Sequence, residues 1–510
     1  MKYLAFIPVI LFGTQVYSQP GFNQAHDFGQ LAAGFYSLEL SQDTVSVYGT
    51  VIGESGQGGR LVAQFDTLGT LLHSTVHFDT LGDDFTQASP NSFIKLSNGA
   101  GYAGVGQMFQ RRNGYLSVFG PNGRMVSYFE YEDENSETDY YEEVHELDDG
   151  FLILGAKQDA VTYLLEIFML KTGFDGSAVW EKKYSTFGRH TLFGQLLVLD
   201  ENEYVISGST TSGPSTPLPN TINTSTILAT DSLGNVKWRW DSPASLEEMG
   251  AGSIFKTPEG HWVYTSARGQ YDAMHNSLSS QPKFVIRDEN FNLIKDDTFG
   301  VADFPIHYFS KAIELSEGGW LGVGVKPSYY AVPPLSTWYN SVSGWMVRLD
   351  DQGDQLWSRV DTAFWSMETG SANFLYDAVE LPGGNIIACG YSRTYDPVAK
   401  DWGWLIKVNK DGCVDTLNCM PISSGKLPVL PENSVVVYPN PTRSVINFRS
   451  ETVEQWDRVE VANAAGQIVR VLNNTRTNAI DLSDMQDGIY FLRLIKANRS
   501  VTRKVVKRGW

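Results

Sequence analysis

The carboxylates of one short stretch are the densest set of potentially reactive groups in this 510-residue sequence. The run from Glu130 to Asp149 holds eleven Asp and Glu side chains and no Lys or Arg. Most runs of this kind are solvated loops. The alternative is a Ca²⁺ site, which requires several carboxylate oxygens to converge on one ion. No cofactor is predicted, and Ca²⁺ at this run is the one alternative left open.

Other candidate metal ligands are better explained as ordinary structure. His73 and His77 are four residues apart, which suits a metal on a helix, but they lie on a predicted strand. Four residues of a strand span roughly 13 Å, too far for one ion. Asn409, Asp411 and Asp415 are interpreted as residues of a turn. The sequence contains no HExxH, GxSxG, Walker-type loop or twelve-residue Ca²⁺ loop, so no catalytic residue is predicted.

Aromatic residues mark two of four segments that are predicted to be long loops, at 209–224, 268–282, 326–340 and 391–402. Aromatic rings offer stacking platforms for sugars or anchors for proteins. We predict that these loops form a ligand-binding face, acidic on one side and aromatic on the other. The alternative is that the loops pack on each other. The aromatic residues of the predicted face are Tyr329, Tyr330, Trp338, Tyr339, Tyr391, Tyr395 and Trp402.

A repeat of seven units must position these loops. In each unit an apolar segment ends in a turn, an apolar strand ends in Gly, and a last apolar strand closes in a second turn. Each unit has room for four strands and almost no helical spacing; in the second unit they are predicted at 93–97, 102–106, 115–119 and 125–131. One sheet cannot bury both of its faces, so neighbouring sheets must cover them. The pattern predicts an all-β, seven-bladed β-propeller over residues 19–421. The second turns fall 53 to 62 residues apart, at Gly69, Gly123, Gly176, Gly234, Phe291, Gly353 and Gly412.

The second turn carries a further pattern, D-x-x-G-x-x-x-W, at Asp231 and again at Asp350. Asp can hold the turn, Gly tolerates a positive φ, and Trp fills the space between blades. These repeats resemble the tryptophan-docking repeat of quinoprotein-like propellers, with a period near that of kelch units, over residues 35–420. The resemblance does not imply a quinone cofactor, because there is no adjacent cysteine pair. Either residues 19–34 or residues 414–419 are expected to supply the strand that closes the ring.

Both the amino terminus and the cysteines indicate export. Residues 1–18 read as a secretory signal peptide, with Lys2, an apolar run and a small-residue cleavage site. No later apolar run is long enough to span a membrane as a helix. Cys413 and Cys419 are close enough to form a disulfide in an oxidising compartment, the alternative being two unlinked thiols. Cys389 lies in an apolar run and is predicted to be a buried free thiol.

The carboxyl-terminal residues form a separate part of the sequence. Residues 422–433 are rich in Pro and Ser and are predicted to be a linker. Residues 434–510 contain about seven short apolar strands, which suit a small Ig-like β-sandwich. They carry 12 basic and 7 acidic residues, whereas the rest of the chain carries 27 basic and 51 acidic ones. The motif residues are Tyr438, Pro439, Asn440, Pro441, Gly466, Gly488, Tyr490, Lys504, Val505, Val506 and Lys507.

The order and spacing of these motifs resemble the type A sorting domain of type IX secretion in Bacteroidota, across 434–510. The alternative is an ordinary Ig-like adhesion module. The resemblance implies export through the outer membrane, with the secretion machinery and its sorting protease as partners. It also implies release of the protein or its attachment to surface lipopolysaccharide.

A formal charge of -19 argues against nucleic acid or anionic membrane as a partner. We predict a secreted or surface-displayed, non-catalytic binding or adhesion propeller whose ligand is a glycan or a protein. The alternative is a propeller-fold polysaccharide hydrolase or lyase, which two carboxylates in a deep pocket would favour.

Overall fold

The computed structural model describes residues 21–86, 88–185, 189–200, 202–212, 222–243, 248–272, 277–300, 307–332, 337–364, 372–395, 399–414, 435–450, 456–463, 468–475, 478–496 and 499–508. The regular secondary structure of these residues consists of β-strands, which confirms the prediction of an all-β protein. Within this part of the chain no helix is long and apolar enough to cross a membrane. The chain divides into two compact units, Met1–Ile422 and Ser423–Trp510. The predicted signal peptide and linker lie outside the described residues.

Four-strand antiparallel meanders follow one another along the first unit. Alternating apolar residues and tight turns favour such hairpin-connected strands. The first strand of the unit, β1 (Phe22–His26), belongs to the last meander. The first three meanders are β2 (Ala32–Ser41), β3 (Thr44–Ile52), β4 (Gly58–Asp66) and β5 (Leu71–His77); β6 (Phe93–Lys95), β7 (Tyr102–Gln107), β8 (Gly114–Phe119) and β9 (Met125–Tyr131); β10 (Ser136–Leu147), β11 (Gly150–Asp159), β12 (Leu165–Thr172) and β13 (Ala178–Tyr184).

The remaining strands of this unit continue the same order. Two further sheets are separate, and the last two meanders are joined into one eight-stranded sheet by a single parallel pair, Val342 and Ala372. The strands are β14 (His190–Asp200), β15 (Glu203–Ser212), β16 (Ile222–Thr230) and β17 (Val236–Asp241); β18 (Glu248–Lys256), β19 (Trp262–Asp272), β20 (Ser277–Arg287) and β21 (Leu293–Thr298); β22 (Tyr308–Glu314), β23 (Trp320–Val332), β24 (Thr337–Leu349) and β25 (Gln355–Asp361); β26 (Ala372–Glu380), β27 (Ile386–Thr394) and β28 (Lys400–Val408).

Strand β1 completes the last meander by pairing antiparallel with β28. The amino-terminal segment is therefore the closing strand, the first of the two closures expected. Hydrophobic residues pack between neighbouring meanders, and the same holds between the last one and the first. Phe35 and Phe65 of the first meander share a core with Ile387 and Leu405 of the last. Each meander thus has both faces covered, as in a β-propeller.

The four strands predicted in the second repeat are observed as β6 to β9. The prediction of four long loops is partly wrong, because strand pairing extends into these segments. In 326–340 the backbone pairs from Trp320↔Leu349 out to Val332↔Thr337, so most of this segment is an extended β-hairpin. The segments at 268–282 and 391–402 are likewise hairpin ends. In these segments the pairing of the two strands continues beyond the repeat pattern, so most of the backbone is paired.

Aromatic side chains of one meander pack on the second turn of the next. The ring of Trp180 lies against Gly234, and the ring of Trp357 lies against Gly412. Both glycines have a positive φ, 74° and 78°, and a side chain at either would collide with the indole. The Trp357 indole N–H also donates to the Lys410 carbonyl at 2.9 Å. The Trp that follows one turn glycine by four residues therefore packs on the turn glycine of the next meander and joins the two meanders.

The fifth repeat departs from this rule, because Phe291 occupies the glycine position with φ 63°. Its ring stacks on Trp240 at 4.9 Å and on Trp262 at 5.7 Å between ring centroids. The aromatic stacking offsets the cost of a left-handed conformation in a residue with a side chain.

A buried hydrogen bond anchors the closing strand. The fully buried Trp404 donates its indole N–H to Asn23 Oδ1 at 2.7 Å. We expect Asn23→Ala to lower the free energy of unfolding by about 1 to 3 kcal/mol, because the indole N–H loses its acceptor. Urea unfolding of the full chain measures this. Trp404→Phe and the double variant complete the cycle, and a coupling energy near zero would contradict the assignment.

The second unit contains two sheets. Their strands are β29 (Val435–Tyr438), β30 (Val445–Ser450), β31 (Trp456–Asn463), β32 (Ile468–Thr475), β33 (Ala479–Asp481), β34 (Gly488–Lys496) and β35 (Arg499–Lys507). One sheet has the order β29-β30-β33 and the other β32-β31-β34-β35. Both contribute to one core, in which Ile446 and Phe448 of the first sheet meet Val459 and Leu492 of the second.

The motif at the start of this unit is bonded to the motif at its end. Asn440 donates its amide to the Lys504 carbonyl at 2.7 Å, and its Oδ1 accepts from Val506 N–H at 2.9 Å. Thr442 N–H donates to the Val506 carbonyl at 2.8 Å. Gly488 pairs with Lys507, beside the pair Tyr490↔Val505. The predicted motif residues thus lie on adjoining backbone, except Gly466, which lies outside the described residues. Tyr438 is about half exposed, at 49%.

Candidate ligand-binding site

β-Bulges interrupt the first strand of six meanders, β2, β10, β14, β18, β22 and β26. A bulge leaves one residue unpaired and can re-aim its side chain. In β2 the residue passed over is Tyr36, in β10 Glu142, in β22 Ser310 and in β26 Tyr376. At these four positions the bulge takes one side chain out of the ladder of paired residues.

In four of these meanders the second strand carries a glycine that the bulge requires. A Cβ at Gly49, Gly155, Gly324 or Gly390 would overlap a backbone carbonyl oxygen of the bulged strand. None of the four has a positive φ, so close approach of backbone is the reason for glycine. In these four repeats, the glycine that the sequence pattern places at the end of an apolar strand therefore indicates a bulge in the neighbouring strand.

Polar side chains beside the bulges link successive meanders. Lys311 and Asp377 form an ion pair at 2.6 Å, and Asp377 is fully buried. Asp377 Oδ2 also accepts from Leu38 N–H of the first meander at 3.1 Å. The other links are Leu196 N–H to Glu143 at 2.8 Å, Ile254 N–H to Gln195 at 3.1 Å and Ala312 N–H to Ser253 at 2.9 Å.

A cleft of about 1020 Å³ lies at the bulges of β2, β10 and β26. Its walls also include the β3–β4 and β11–β12 turns and the segment between β5 and β6. The aromatic lining residues are Tyr36, Phe85, Phe109, Tyr140, Tyr141, Tyr163, Tyr376 and Tyr391. The charged lining residues are Asp84, Arg112, Glu137, Glu142 and Asp401. A concave site with aromatic walls and a few polar groups is the usual form of a ligand pocket.

Three tyrosines from the first and last meanders form one cluster in this cleft. The centroid of Tyr36 lies 4.8 Å from that of Tyr376, and the centroids of Tyr376 and Tyr391 are 6.0 Å apart. Phe374 stacks on Tyr391 at 4.8 Å. Burial raises the pKa of the Tyr36, Tyr376 and Tyr391 hydroxyls, so all three stay protonated at neutral pH. They offer apolar ring surface and neutral hydrogen-bonding groups.

Most carboxylates of the acidic run are paired with specific partners. Lys157, which is nearly buried, lies between Asp133 at 3.2 Å, Asp139 at 3.3 Å and Glu181 at 2.9 Å. Other carboxylates of the run also form ion pairs: Glu130 with Arg111, Glu137 with Arg112, Asp149 with Lys171 and Asp133 with Lys183. Much of the run is strand β10, so its interpretation as a solvated loop is wrong for this part. Among the described residues, no three His, Cys, Asp or Glu groups are arranged to hold a metal ion.

Glu142 differs from these carboxylates because no cation among the described residues forms an ion pair with it. The Ser89 hydroxyl donates to its Oε2. Glu142 lines the cleft, and partial burial removes water from its carboxyl and raises its pKa to about 7. Burial also raises the pKa of Glu39, on β2, to about 7. Sequence reasoning did not single out Glu142, and the available signal was Gly155, which marks the bulge opposite it.

Three side chains of the predicted aromatic face, Tyr391, Tyr395 and Trp402, belong to the described residues. Tyr391 lines the cleft, but Tyr395 is 40% exposed outside it. Trp402 packs on Phe364 at 5.4 Å and under the Lys400 ammonium at 4.7 Å, and it does not line the cleft. The side chains of Tyr329, Tyr330, Trp338 and Tyr339 lie outside the described residues. Tyr36 and Tyr376 were missed because an alternating strand pattern places them within the ladder.

Two further predictions concern cysteine and histidine. Cys389 is a fully buried free thiol. Cys413 is buried and disulfide-bonded, whereas its predicted partner Cys419 lies outside the described residues. His77 bonds to the Gly123 carbonyl at 3.1 Å, and His73 contacts the Thr75 hydroxyl at 3.2 Å.

Fold and site together define an all-β protein of four-stranded meanders with a tyrosine-lined cleft. Residues 436–508 match the family model of the secretion system C-terminal sorting domain. Export to the cell surface or secretion follows from this match, and the secretion machinery is a partner. A search of the curated proteins finds no match to this sequence.

Solved structures resemble the chain only distantly. The polysaccharide lyase Uly1 is 8% identical with a TM-score of 0.42, covering 73% of this chain and 89% of its own. The α-L-arabinofuranosidase Arb93A from Fusarium graminearum is 10% identical with a TM-score of 0.37, covering 77% and 98%. A puromycin-hydrolysing peptidase from Mycobacterium tuberculosis is 10% identical with a TM-score of 0.44, covering 74% and 52%. Similarity at this level assigns no activity to this chain.

Proposed function

We propose that this chain is a surface-displayed or released seven-bladed β-propeller that binds a glycan in the cleft. Residues 1–18 act as the signal peptide, 19–421 form the propeller, 422–433 are a linker, and 434–510 form an Ig-like type A sorting domain. The type IX machinery and its sorting protease act on that domain, and the displayed form is attached to surface lipopolysaccharide. The single observation that carries the binding role is the cluster of Tyr36, Tyr376 and Tyr391 in a concave site.

Several features of the cleft favour a glycan over a protein ligand. Sugar rings stack on aromatic faces, and their hydroxyls need both donors and acceptors within reach. The neutral tyrosine hydroxyls, Gln107 and Gln158 supply both kinds of group in the lining. A chain of sugar rings fits a concave site of this kind. A protein partner requires a broader and flatter surface patch.

A pair of variants on one hairpin tests this proposal. We expect Tyr391→Ala to weaken glycan binding at least tenfold, because the loss of a stacking ring is worth about 1.4 kcal/mol or more. Trp402→Ala is the matched control, since it removes a larger ring from the same hairpin but outside the cleft. Binding is measured by calorimetry on a ligand identified from a glycan array. Equal effects of the two variants, or no array signal, would contradict the proposal.

A second candidate is the polysaccharide hydrolase or lyase. Glu142 favours it, because a carboxyl that carries a proton near neutral pH inside a cleft can act as a general acid. An increase of reducing ends or of unsaturated products on incubation with the array ligand would establish cleavage. Intact ligand after prolonged incubation would leave binding as the function.

A further inference from the structure

Glu142 is placed by the backbone, not by a charge partner. The bulge between Tyr141 and Glu143 takes it out of the ladder of β10 and β11. Its neighbour Glu143 turns the other way, accepting from Leu196 N–H and contacting His145 at 2.9 Å. The carboxyl of Glu142 has the Ser89 hydroxyl as its hydrogen-bond donor. A carboxyl held in this way has one oxygen left for whatever enters the cleft.

The charged groups that face the cleft from other elements are largely compensated. Arg112, the one basic residue of the lining as far as the structure describes it, is paired with Glu137. Asp401 is held by Arg393 through bonds of 2.5 and 2.8 Å, and Asp84 accepts from Gly58 N–H at 2.7 Å. The remaining titratable groups are the tyrosines of the lining, with Tyr36, Tyr376 and Tyr391 from the adjoining strands β2, β26 and β27. The described lining therefore offers no unpaired cation to an anionic ligand.

We propose that the cleft selects an uncharged glycan, and that Glu142 is a specificity residue whose carboxyl donates a hydrogen bond to a ring or glycosidic oxygen, which has no proton of its own to donate. This inference rests on the proposed glycan-binding function and adds the substrate class to it. A deprotonated carboxyl at the same point could only accept, and it would repel a uronate or sulfate group. The Ser89 hydroxyl and the bulge hold the carboxyl in place in either state.

The direction of the pH dependence follows from the raised pKa of Glu142, about 7. Below that pH the carboxyl is protonated and can donate, so affinity for a neutral glycan is constant. Above it, affinity falls by up to tenfold per pH unit as the proton is lost. Tyr36, Tyr376 and Tyr391 do not titrate in this range, because burial raises the pKa of each hydroxyl.

Two measurements on the full-length mature chain test the proposal. First, ¹³C NMR of the labelled Glu side-chain carboxyls, compared between wild type and Glu142→Gln, gives the pKa of this group directly. Second, calorimetry between pH 5.5 and 8.5 compares neutral gluco-, xylo- and manno-oligosaccharides with oligogalacturonate. We expect neutral binding that weakens above pH 7 in wild type. Glu142→Gln should bind without pH dependence, because its amide still donates, and Glu142→Ala should bind at least tenfold more weakly at pH 5.5.

Glu146→Gln is the matched control. It lies on the same strand, where its carboxylate accepts from Ser97 N–H at 2.5 Å outside the cleft, and it should keep the wild-type pH profile. Titration of Glu142 near pH 4.5, pH-independent binding by wild type, or preference for oligogalacturonate would each overturn this inference while glycan binding stands. Absence of binding to every oligosaccharide at pH 5.5 would overturn both this inference and the proposed function.

Discussion

Removal of residues 434–510 is expected to abolish display or release of the protein while leaving the first unit folded inside the cell envelope. Residues 436–508 match the sorting-domain family, and they form a compact unit with a core of their own. The first unit has its own cores and its own closing strand, so it does not need the sorting domain to fold. Whole-cell protease shaving and periplasmic fractionation, in a bacterium that has the type IX machinery, measure the outcome.

A point variant separates recognition from gross truncation. Asn440→Ala removes the two bonds that tie the first motif to the backbone of Lys504 and Val506. It should reduce export less than the deletion does, because the core of the sorting unit remains. Asn98→Ala, an exposed turn residue of the first unit, is the control and should be exported normally. Surface display of the truncated chain at the wild-type level would refute the role assigned to this domain.

Loss of Asp377 is expected to be the most damaging single substitution in the first unit. Its carboxylate is fully buried, pairs with Lys311 at 2.6 Å and accepts from Leu38 N–H at 3.1 Å, so it links three meanders. Asp377→Ala should lower the free energy of unfolding by about 3 to 5 kcal/mol, because the largely buried Lys311 ammonium is left without its partner. Urea denaturation of the full chain, followed by tryptophan fluorescence, measures the change.

The control for this prediction is an exposed ion pair of the same unit. Lys410 and Glu317 lie 3.3 Å apart with both side chains more than half exposed, so Glu317→Ala should change stability by about 0.5 kcal/mol or less. A double variant, Lys311→Met with Asp377→Leu, should recover much of the loss, since it removes both buried charges. An Asp377→Ala effect below 1 kcal/mol would show that the link between first and last meanders contributes little to stability.

The repeat pattern predicted the strands well, and it failed where pairing extends beyond the repeat. Strands β6 to β9 fall where turn residues and alternating apolar residues place them. The hairpin of β23 and β24 continues to Val332 and Thr337, in a segment rich in Pro, Ser and Tyr that was interpreted as a loop. Local propensity is weak there, and the register of the paired strands decides the conformation.

Of the three described side chains of the predicted face, Tyr391 lines the cleft, and Tyr395 and Trp402 do not. Trp402, eleven residues after Tyr391 in the chain, packs on Phe364 outside the cleft. Tyr36 and Tyr376 are 340 residues apart in the chain and meet at 4.8 Å because the last meander closes on the first. No local pattern contains that proximity.

The sequence by itself determined the all-β class, the four-strand period, the turn chemistry and the sorting motifs, since each depends on residues near one another in the chain. The tertiary structure alone decided which side chains share the cleft and which carboxylates are paired. Bulges shift a side chain by one position, closure brings distant repeats together, and the electrostatics of a carboxyl such as Glu142 depend on the groups that then surround it. These are properties of contacts between strands, which an alternating pattern within one strand does not encode.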